Sequence, residues 1–229
     1  MVDWGKCRHE CDNLTEIIAE HKFETFVQPI RSLGDNSIFG YEVFNRPKHY
    51  DVEAFYTKLG TCKCVNIIDL YLLQSSLHKI QGLHERIFFN IFPNTLSDIL
   101  DDSIELPGVV LELSERQPFE NIELWSKVIR ESNYTIALDD IGKGFTRSAL
   151  LVEEAPHFMK LDKLMVQHID HSDLKKSLVS SYLHYAKGKS VIIAEGIERQ
   201  EELDALIELG VQYGQGYLLG KPFKWEENI

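Results

Sequence analysis

The chain has 229 residues, of which 44% are hydrophobic and 26% charged, and its formal net charge is −12. This composition is ordinary for a soluble globular protein, and the length suits one α/β barrel or two small domains. The acidic balance argues against binding to a nucleic-acid polymer, which needs a basic surface. No apolar run approaches the roughly 20 residues of a membrane span, and the N-terminus lacks the apolar core of a signal peptide, so we predict a cytoplasmic protein without a membrane segment.

Short apolar runs alternate along the chain with longer stretches of helical periodicity. The first two runs, Phe23–Ile30 and Ser37–Arg46, predict two strands joined by a turn at Gly34–Asn36. The later predicted strands are Arg86–Ile91, Val109–Leu113, Thr135–Leu138, Phe158–Leu161, Val191–Ala194 and a short one near Gln212–Tyr213. The predicted helices between them are Val65–Ile80, Glu120–Glu131, Leu174–Ala186 and Gln200–Leu209.

These apolar runs are short and lack polar alternation, which indicates strands buried on both faces. Such strands form parallel sheets that are covered by helices. About seven or eight of them in one domain predict a (β/α) barrel, and a doubly wound open sheet is the second choice. We assign residues 21–229 to this barrel domain and residues 1–20 to an N-terminal extension, which we predict to be helical.

Polar side chains stand late in, or just after, most of the predicted strands. They are Glu42 and Arg46, Asn90, Glu112 and Glu115, Asp139 and Asp140, Lys160 and Asp162, Glu195 and Glu198, and Gln215. The active site of a barrel lies at the C-terminal ends of its strands, where residues from several strands meet. One acidic residue after a strand is commonly a helix cap or a solvated turn, whereas a series across consecutive strands indicates a site.

The set offers carboxylate and amide oxygen but neither histidine nor cysteine, a combination that suits hard cations such as Mg²⁺ or Mn²⁺. Asp139 and Asp140 are adjacent and can contact two ions, with one carboxylate bridging them. Two close ions are a recurring device for phosphodiester hydrolysis. Lys160 can then stabilise developing charge or orient the attacking water, and Glu195 can hold or deprotonate that water.

The same residues resemble the EAL-domain family of bacterial cyclic di-GMP phosphodiesterases, from about Phe23 to Pro222. The resemblance is carried by Q-P-I at 28–30, Y-E-V-F-N-R at 41–46, N-I-F at 90–92, E-L-S-E at 112–115, D-D-I-G-K-G-F at 139–145, K-L-D at 160–162, A-E-G-I-E at 194–198 and Q-G-Y-L-L-G-K-P at 215–222. It implies a TIM-like (β/α)8 barrel whose first strand is antiparallel to the rest. It also implies hydrolysis of cyclic di-GMP to linear pGpG with two Mg²⁺ or Mn²⁺ ions, and it makes a homodimer an expectation to test.

The resemblance further implies a role for each matching residue. One ion would be held by Glu42, Asn90, Glu112 and Asp139, and the other by Asp139 and Asp140. The nucleophilic water would be handled by Lys160 and Glu195. The substrate contacts, or their supports, would be Gln28, Arg46 and Gln215. Glu115 would steady the loop after the two aspartates, and Glu198 would be a carboxylate behind the metal ligands.

The loop from Ile141 to Ala149 departs from the family pattern. Other residues usually stand at Ile141, at Lys143 and in the block Thr146–Ala149. Two alternatives to hydrolysis follow: a module that binds cyclic di-GMP without cleaving it, and an interaction protein that no longer uses the nucleotide. An ammonium group near the second cation would compete with that cation, which favours the binding module.

Overall fold

The computed structural model describes residues 23–48, 50–62, 64–101, 104–113, 122–143 and 151–225. Its strands are β1 Phe23–Ser32, β2 Ile38–Pro47, β3 Arg86–Ile91, β4 Val109–Leu113, β5 Thr135–Ile141, β6 Phe158–Leu161, β7 Val191–Ala194, β8 Tyr213–Gly214 and β9 Phe223–Lys224. Its helices are α1 Val52–Gly60, α2 Val65–Lys79, α3 Pro93–Asp101, α4 Ile122–Glu131, α5 Lys163–Val166, α6 Asp173–Ala186 and α7 Gln200–Leu209, with a 3-10 turn at Ile169–His171. The extension predicted for residues 1–20 lies outside the described residues, so the domain boundary stays a prediction.

The sheet closes into a barrel of eight strands. Strands β2 to β8 lie side by side in chain order and run parallel. β1 fits between β8 and β2 and is antiparallel to both. β9 adds a short antiparallel pairing to Phe26 and Val27 of β1. The predicted barrel with an antiparallel first strand is therefore confirmed, and the doubly wound open sheet is wrong.

Alternate residues of the strands point into the barrel and form two layers. The lower layer is apolar and comprises Ile30, Phe88, Val110, Ala137, Phe158 and Ile193. The upper layer, two residues further along the parallel strands, comprises Asn90, Glu112, Asp139, Lys160 and Glu195. Because side chains on a strand alternate with period two, an inward apolar residue places the residue two positions later on the same side. The apolar layer therefore forms the floor beneath a polar ring.

The outward residues of the strands pack against the helices in the main core. On β4, Val109, Leu111 and Leu113 belong to this core, whereas Val110 and Glu112 face the barrel interior. Both faces of the strand are buried, as a parallel barrel covered by helices requires. None of the helices in the described part of the chain is long and apolar enough to cross a bilayer.

The predicted strands are all present, with differences at their ends. β5 continues to Ile141 instead of ending at Leu138. The short elements that lie outside the sequence predictions include α1, α3, α5, β9 and the 3-10 turn at Ile169–His171. The aspartate before α1 is a sequence signal for the start of that helix. Asp51 Oδ1 accepts a hydrogen bond from the backbone N–H of Ala54 at 2.7 Å and so caps the helix.

Candidate active site

A buried lysine lies at the centre of the upper layer. Lys160, on β6, is 0% exposed. Its Nζ lies 2.7 Å from Glu195 Oε1, 2.8 Å from Glu112 Oε1 and 3.0 Å from Glu42 Oε2. Asp139 Oδ1 lies farther from the same atom, at 3.7 Å. Four carboxylates therefore share one ammonium group, and the cluster has an excess of negative charge when all of them are ionised.

Burial and the excess of negative charge together shift the pKa values of the cluster. Burial raises the pKa of Glu112 well above its ordinary value, and repulsion from Glu42 adds to the effect. Burial likewise raises the pKa of Glu195 well above its ordinary value, against the attraction of Lys160. Burial alone would lower the pKa of Lys160, but the carboxylates, led by Asp139, outweigh it and raise that pKa. The cluster lacks positive charge, which a divalent cation supplies.

Asn90 joins two of these carboxylates. Its Nδ2 donates to Glu42 Oε1 at 2.8 Å and to Glu112 Oε2 at 3.0 Å. The structure thus brings together the predicted ligand set of Glu42, Asn90, Glu112 and Asp139. A cation ligand would be the amide oxygen of Asn90, so the amide would turn over to present Oδ1 in place of Nδ2.

A β-bulge lets two adjacent aspartates serve one site. Leu138 pairs with Met159 and Ile141 with Leu161, so β5 contains one residue more than β6 between these pairs. Asp140 lies in this irregular stretch and adopts a positive φ of 56°. Its backbone N–H donates to Asp139 Oδ1 at 2.8 Å. In a regular strand, alternation would put the two side chains on opposite faces.

Three carboxylates at this end of the barrel are placed to hold a cation. Oxygen atoms of Asp139, Asp140 and Glu195 all lie within 4.8 Å of one another, and all three residues are partly exposed. An ion can therefore reach them from solvent. Hard oxygen ligands suit divalent cations such as Mg²⁺, Mn²⁺ and Ca²⁺. The residues present fit a divalent metal ion.

Two glutamine side chains, those of Gln28 and Gln215, support Glu42. Gln215 Nε2 donates to Glu42 Oε2 and to Gln28 Oε1, both at 2.9 Å. Gln28 Nε2 in turn donates to the carbonyl oxygen of Gly220 at 2.9 Å. Within the described residues, Gln215 Oε1 is buried and accepts no hydrogen bond. The side chain of Gln215 is held against Glu42 by the hydrogen bond from its Nε2.

The cluster opens into a cleft of about 560 Å³. Two further predicted residues, Arg46 and Glu198, line this cleft. The guanidinium group of Arg46 lies over the ring of Phe26, 4.5 Å from its centroid. A cleft of this size accommodates a small-molecule ligand. Glu115 lies outside the described residues, so its predicted role stays a prediction.

Asp69 is a buried carboxylate that the strand-end pattern does not reveal. Its Oδ2 accepts hydrogen bonds from the backbone N–H of Phe92 at 2.7 Å and from Thr95 Oγ1 at 2.8 Å. Phe92 and Thr95 lie two and five positions after Asn90, so Asp69 holds the segment that follows Asn90. Its signal in the sequence is weak: one acidic residue on the buried side of the predicted helix Val65–Ile80.

A second such carboxylate, Glu202, holds the loop after β7. Its Oε2 accepts hydrogen bonds from the backbone N–H groups of Glu198 and Arg199, at 3.0 and 3.1 Å. Its Oε1 accepts one from the backbone N–H of His168 at 2.9 Å. The loop that carries Glu195 is thereby tied to the segment that follows β6. A glutamate in the first turn of a predicted helix is a capping signal that could have identified it.

We expect Glu202→Gln to lower the free energy of unfolding by about 2 kcal/mol at neutral pH, because it weakens charge-assisted hydrogen bonds to buried backbone donors. Burial tends to raise the pKa of Glu202, but the backbone hydrogen bonds from His168 and Glu198 hold it below the ordinary value of 4.5. The carboxylate's contribution is therefore complete above that value and is lost as the pH falls through the lowered pKa. Denaturant unfolding at neutral and acid pH measures both effects.

Glu208→Gln is the matched control, because Glu208 is exposed on the same helix. It should leave the free energy of unfolding within about 0.5 kcal/mol of wild type. A Glu202→Gln protein as stable as wild type at neutral pH would contradict the capping role.

Comparisons with known proteins agree with this geometry. The family model of the EAL domain matches residues 12–222. The "Probable cyclic di-GMP phosphodiesterase PdeA" of Escherichia coli K12 is 33% identical in an alignment of 196 residues that covers 78% of this chain and 25% of PdeA. The cyclic di-GMP phosphodiesterase RocR of Pseudomonas aeruginosa PAO1 is 27% identical in an alignment of 226 residues that covers 88% of this chain and 57% of RocR. The chain thus spans less than two thirds of either relative's length.

A solved structure gives the same result. The EAL enzyme Bd1971, in its cAMP- and cyclic-di-GMP-bound form, matches with a TM-score of 0.72 and 27% identity, over 92% of this chain and 65% of that one. All the residues that converge on Lys160 lie within the matched range of 12–222. The chain belongs to the EAL-domain family.

Proposed function

We propose that this chain is a metal-dependent phosphodiesterase that hydrolyses cyclic di-GMP to linear pGpG. The observation that carries the proposal is the convergence of Glu42, Glu112, Asp139 and Glu195 on the buried ammonium group of Lys160. The cleft above this cluster provides space for a ligand. The substrate is inferred from PdeA and RocR, which carry cyclic di-GMP phosphodiesterase in their names.

The metal part of the proposal is two Mg²⁺ or Mn²⁺ ions. Their ligands would be Glu42, Asn90, Glu112 and Asp139 for one ion, and Asp139 and Asp140 for the other. Bound ions of this kind polarise a phosphodiester group and make a nearby water molecule more acidic. The excess of carboxylate over ammonium in the cluster supports this assignment.

Glu195 is the residue we assign to accept the proton of the attacking water. Burial raises its pKa well above its ordinary value, which makes the carboxylate a stronger proton acceptor. Lys160 Nζ lies 2.7 Å from Glu195 Oε1 and holds this carboxylate in position. Because the pKa of Lys160 is raised, its ammonium group stays charged at neutral pH and can stabilise negative charge on the reacting phosphate.

Arg46 and Gln215 are the residues we assign to substrate binding. A guanidinium group forms paired hydrogen bonds with phosphate oxygens, and Arg46 lines the cleft. Gln215 lines the same cleft. Gln28 is hydrogen-bonded at both ends of its amide, so we assign it to the support of Gln215.

The test is turnover of cyclic di-GMP by the purified protein with Mg²⁺ or Mn²⁺, measured by chromatography of the products. We expect pGpG with at least one of the metals, because the carboxylate cluster is suited to both. EDTA should abolish the reaction, and excess metal added afterwards should restore it, which controls for damage by the chelator. Absence of product with both metals would contradict the proposal.

A module that binds cyclic di-GMP without cleaving it is the second candidate. The position of Lys143 favours it, since Lys143 Nζ lies 3.9 Å from Asp140 Oδ1, where it can compete with a cation. Calorimetric binding of the nucleotide without product would select this candidate. If neither nucleotide nor metal bound, an interaction protein would be favoured instead. The homodimer stays a prediction, which sedimentation of the purified protein measures.

A further inference from the structure

Lys143 places a positive charge at the rim of the acidic cluster. Its side chain is 47% exposed, and its Nζ lies 3.9 Å from Asp140 Oδ1. It lines the same cleft as Asp139, Asp140 and Glu195. Lys143 forms an ion pair with Asp140, which lies three positions earlier in the same tight turn.

Two backbone hydrogen bonds hold the residues from Asp140 to Lys143. The N–H of Lys143 donates to the carbonyl oxygen of Asp140 at 3.2 Å, and the carbonyl oxygen of Ile141 accepts from the N–H of Asp162 at 3.0 Å. Gly142 has a φ of 108°, and a Cβ there would lie 2.5 Å from Met165 Cγ, so a side chain does not fit. The root of the Lys143 side chain is therefore held at a constant position relative to Asp140.

Asp140 has two kinds of partner available. Its carboxylate faces the Lys143 ammonium group, and its oxygen also lies within 4.8 Å of oxygens of Asp139 and Glu195. A divalent cation among these three carboxylates would share Asp140 with the lysine and would be repelled by it. We propose that Lys143 is a tethered cation that competes for Asp140 with the divalent ion assigned to Asp139 and Asp140, called here the outer ion. Lys143 thereby raises the metal concentration at which the outer ion binds.

This inference rests on the proposed function, because it takes Asp139 and Asp140 as metal ligands. It goes further by giving the chain its own control over the outer ion. The other ion would be held by Glu42, Asn90, Glu112 and Asp139. We expect Lys143 to affect that ion much less because Glu42 and Glu112 are buried. The protein should therefore bind Mn²⁺ in two unequal steps, of which Lys143 weakens the second.

The experiment is a Mn²⁺ titration of the metal-free protein, followed by the electron paramagnetic resonance signal of free Mn²⁺. Lys143→Met should strengthen the weaker step about fivefold, because it removes a positive charge beside Asp140 whose repulsion of an ion is screened by solvent. Lys143→Arg should bind like wild type, because it keeps the charge. Lys163→Met is the matched control, since Lys163 is an exposed lysine that lines the same cleft, and it should also bind like wild type.

Equal isotherms for wild type and Lys143→Met would overturn the inference, as would a strengthening of the same size in Lys163→Met. Turnover of cyclic di-GMP, measured on the same samples, separates this failure from failure of the proposed function. Equal isotherms with turnover would remove the role of Lys143 alone. Absence of both Mn²⁺ binding and turnover would remove the inference and the proposed function together.

Discussion

Lys160→Met should lower the free energy of unfolding by about 4 kcal/mol when no divalent cation is present, because it removes the positive partner of a buried group of carboxylates. Methionine has a similar length and packs in the same space without charge. The side chain of Lys160 is 0% exposed, and those of Glu42 and Glu112 are 6% and 0% exposed, so water can do little to replace the lost ammonium group. Denaturant unfolding in EDTA measures the loss.

Divalent cations should restore much of this stability. A ligand that binds only the folded state stabilises it in proportion to the logarithm of its concentration over its Kd. Lys160→Met has one positive charge fewer among the same carboxylates, so Mn²⁺ should raise its Tm by more than that of wild type. A variant as stable as wild type in EDTA, or one with a smaller response to Mn²⁺, would contradict this account of the cluster.

Acid should also reduce the deficit of Lys160→Met. In wild type the attraction of Lys160 already opposes the burial that raises the pKa values of Glu112 and Glu195. Without the lysine, both pKa values should rise further. A carboxyl group whose pKa is higher in the folded state makes that state more stable as the pH falls from the folded pKa towards the unfolded one. The matched control, Lys163→Met, should change stability by less than about 0.5 kcal/mol at any of these pH values.

The ring of polar residues could be predicted because it follows from local periodicity. On each of the strands β3 to β7 an apolar residue of the barrel floor is followed, two positions later, by a member of the ring. Val110 precedes Glu112 in this way, and Ile193 precedes Glu195. The sequence therefore indicates which side chains point to the same end of the barrel, provided that the strands are parallel and in register.

The contacts within the ring could not be predicted, because they join distant parts of the chain. Gln28 and Gln215 are 187 positions apart and meet only because β1 closes the barrel between β8 and β2. This pairing brings together Gln28 and Gln215, which were both predicted as substrate contacts or their supports. The bulge in β5 could not be predicted either. Nothing in the run Thr135–Leu138 indicates the extra residue that brings Asp140 to the site beside Asp139.

Asp139→Asn should reduce kcat/KM for cyclic di-GMP by at least about 10³-fold, which corresponds to about 4 kcal/mol of transition-state stabilisation. In the proposed function Asp139 is the ligand common to both ions, so loss of its charge weakens both. Asparagine keeps the shape of the side chain, and its Oδ1 can still accept the hydrogen bond that the backbone N–H of Asp140 donates at 2.8 Å. Steady-state kinetics with Mg²⁺ and Mn²⁺ provides the measurement, together with the number of Mn²⁺ ions bound. Asp173→Asn, at an exposed aspartate of α6, is the control and should retain wild-type turnover.

The same substitution should leave the metal-free protein at least as stable as wild type. Asp139 adds a fourth carboxylate around one ammonium group and lies 3.7 Å from it, farther than Glu42, Glu112 or Glu195. Its charge also repels Glu112 and Glu195, whose pKa values it raises. Removing that charge relieves the repulsion, and stability and activity should change in opposite directions, as occurs where a site is built for function at a cost to folding. Turnover within tenfold of wild type, or a clear loss of stability in EDTA, would show that Asp139 is a structural carboxylate and not the shared ligand of the site.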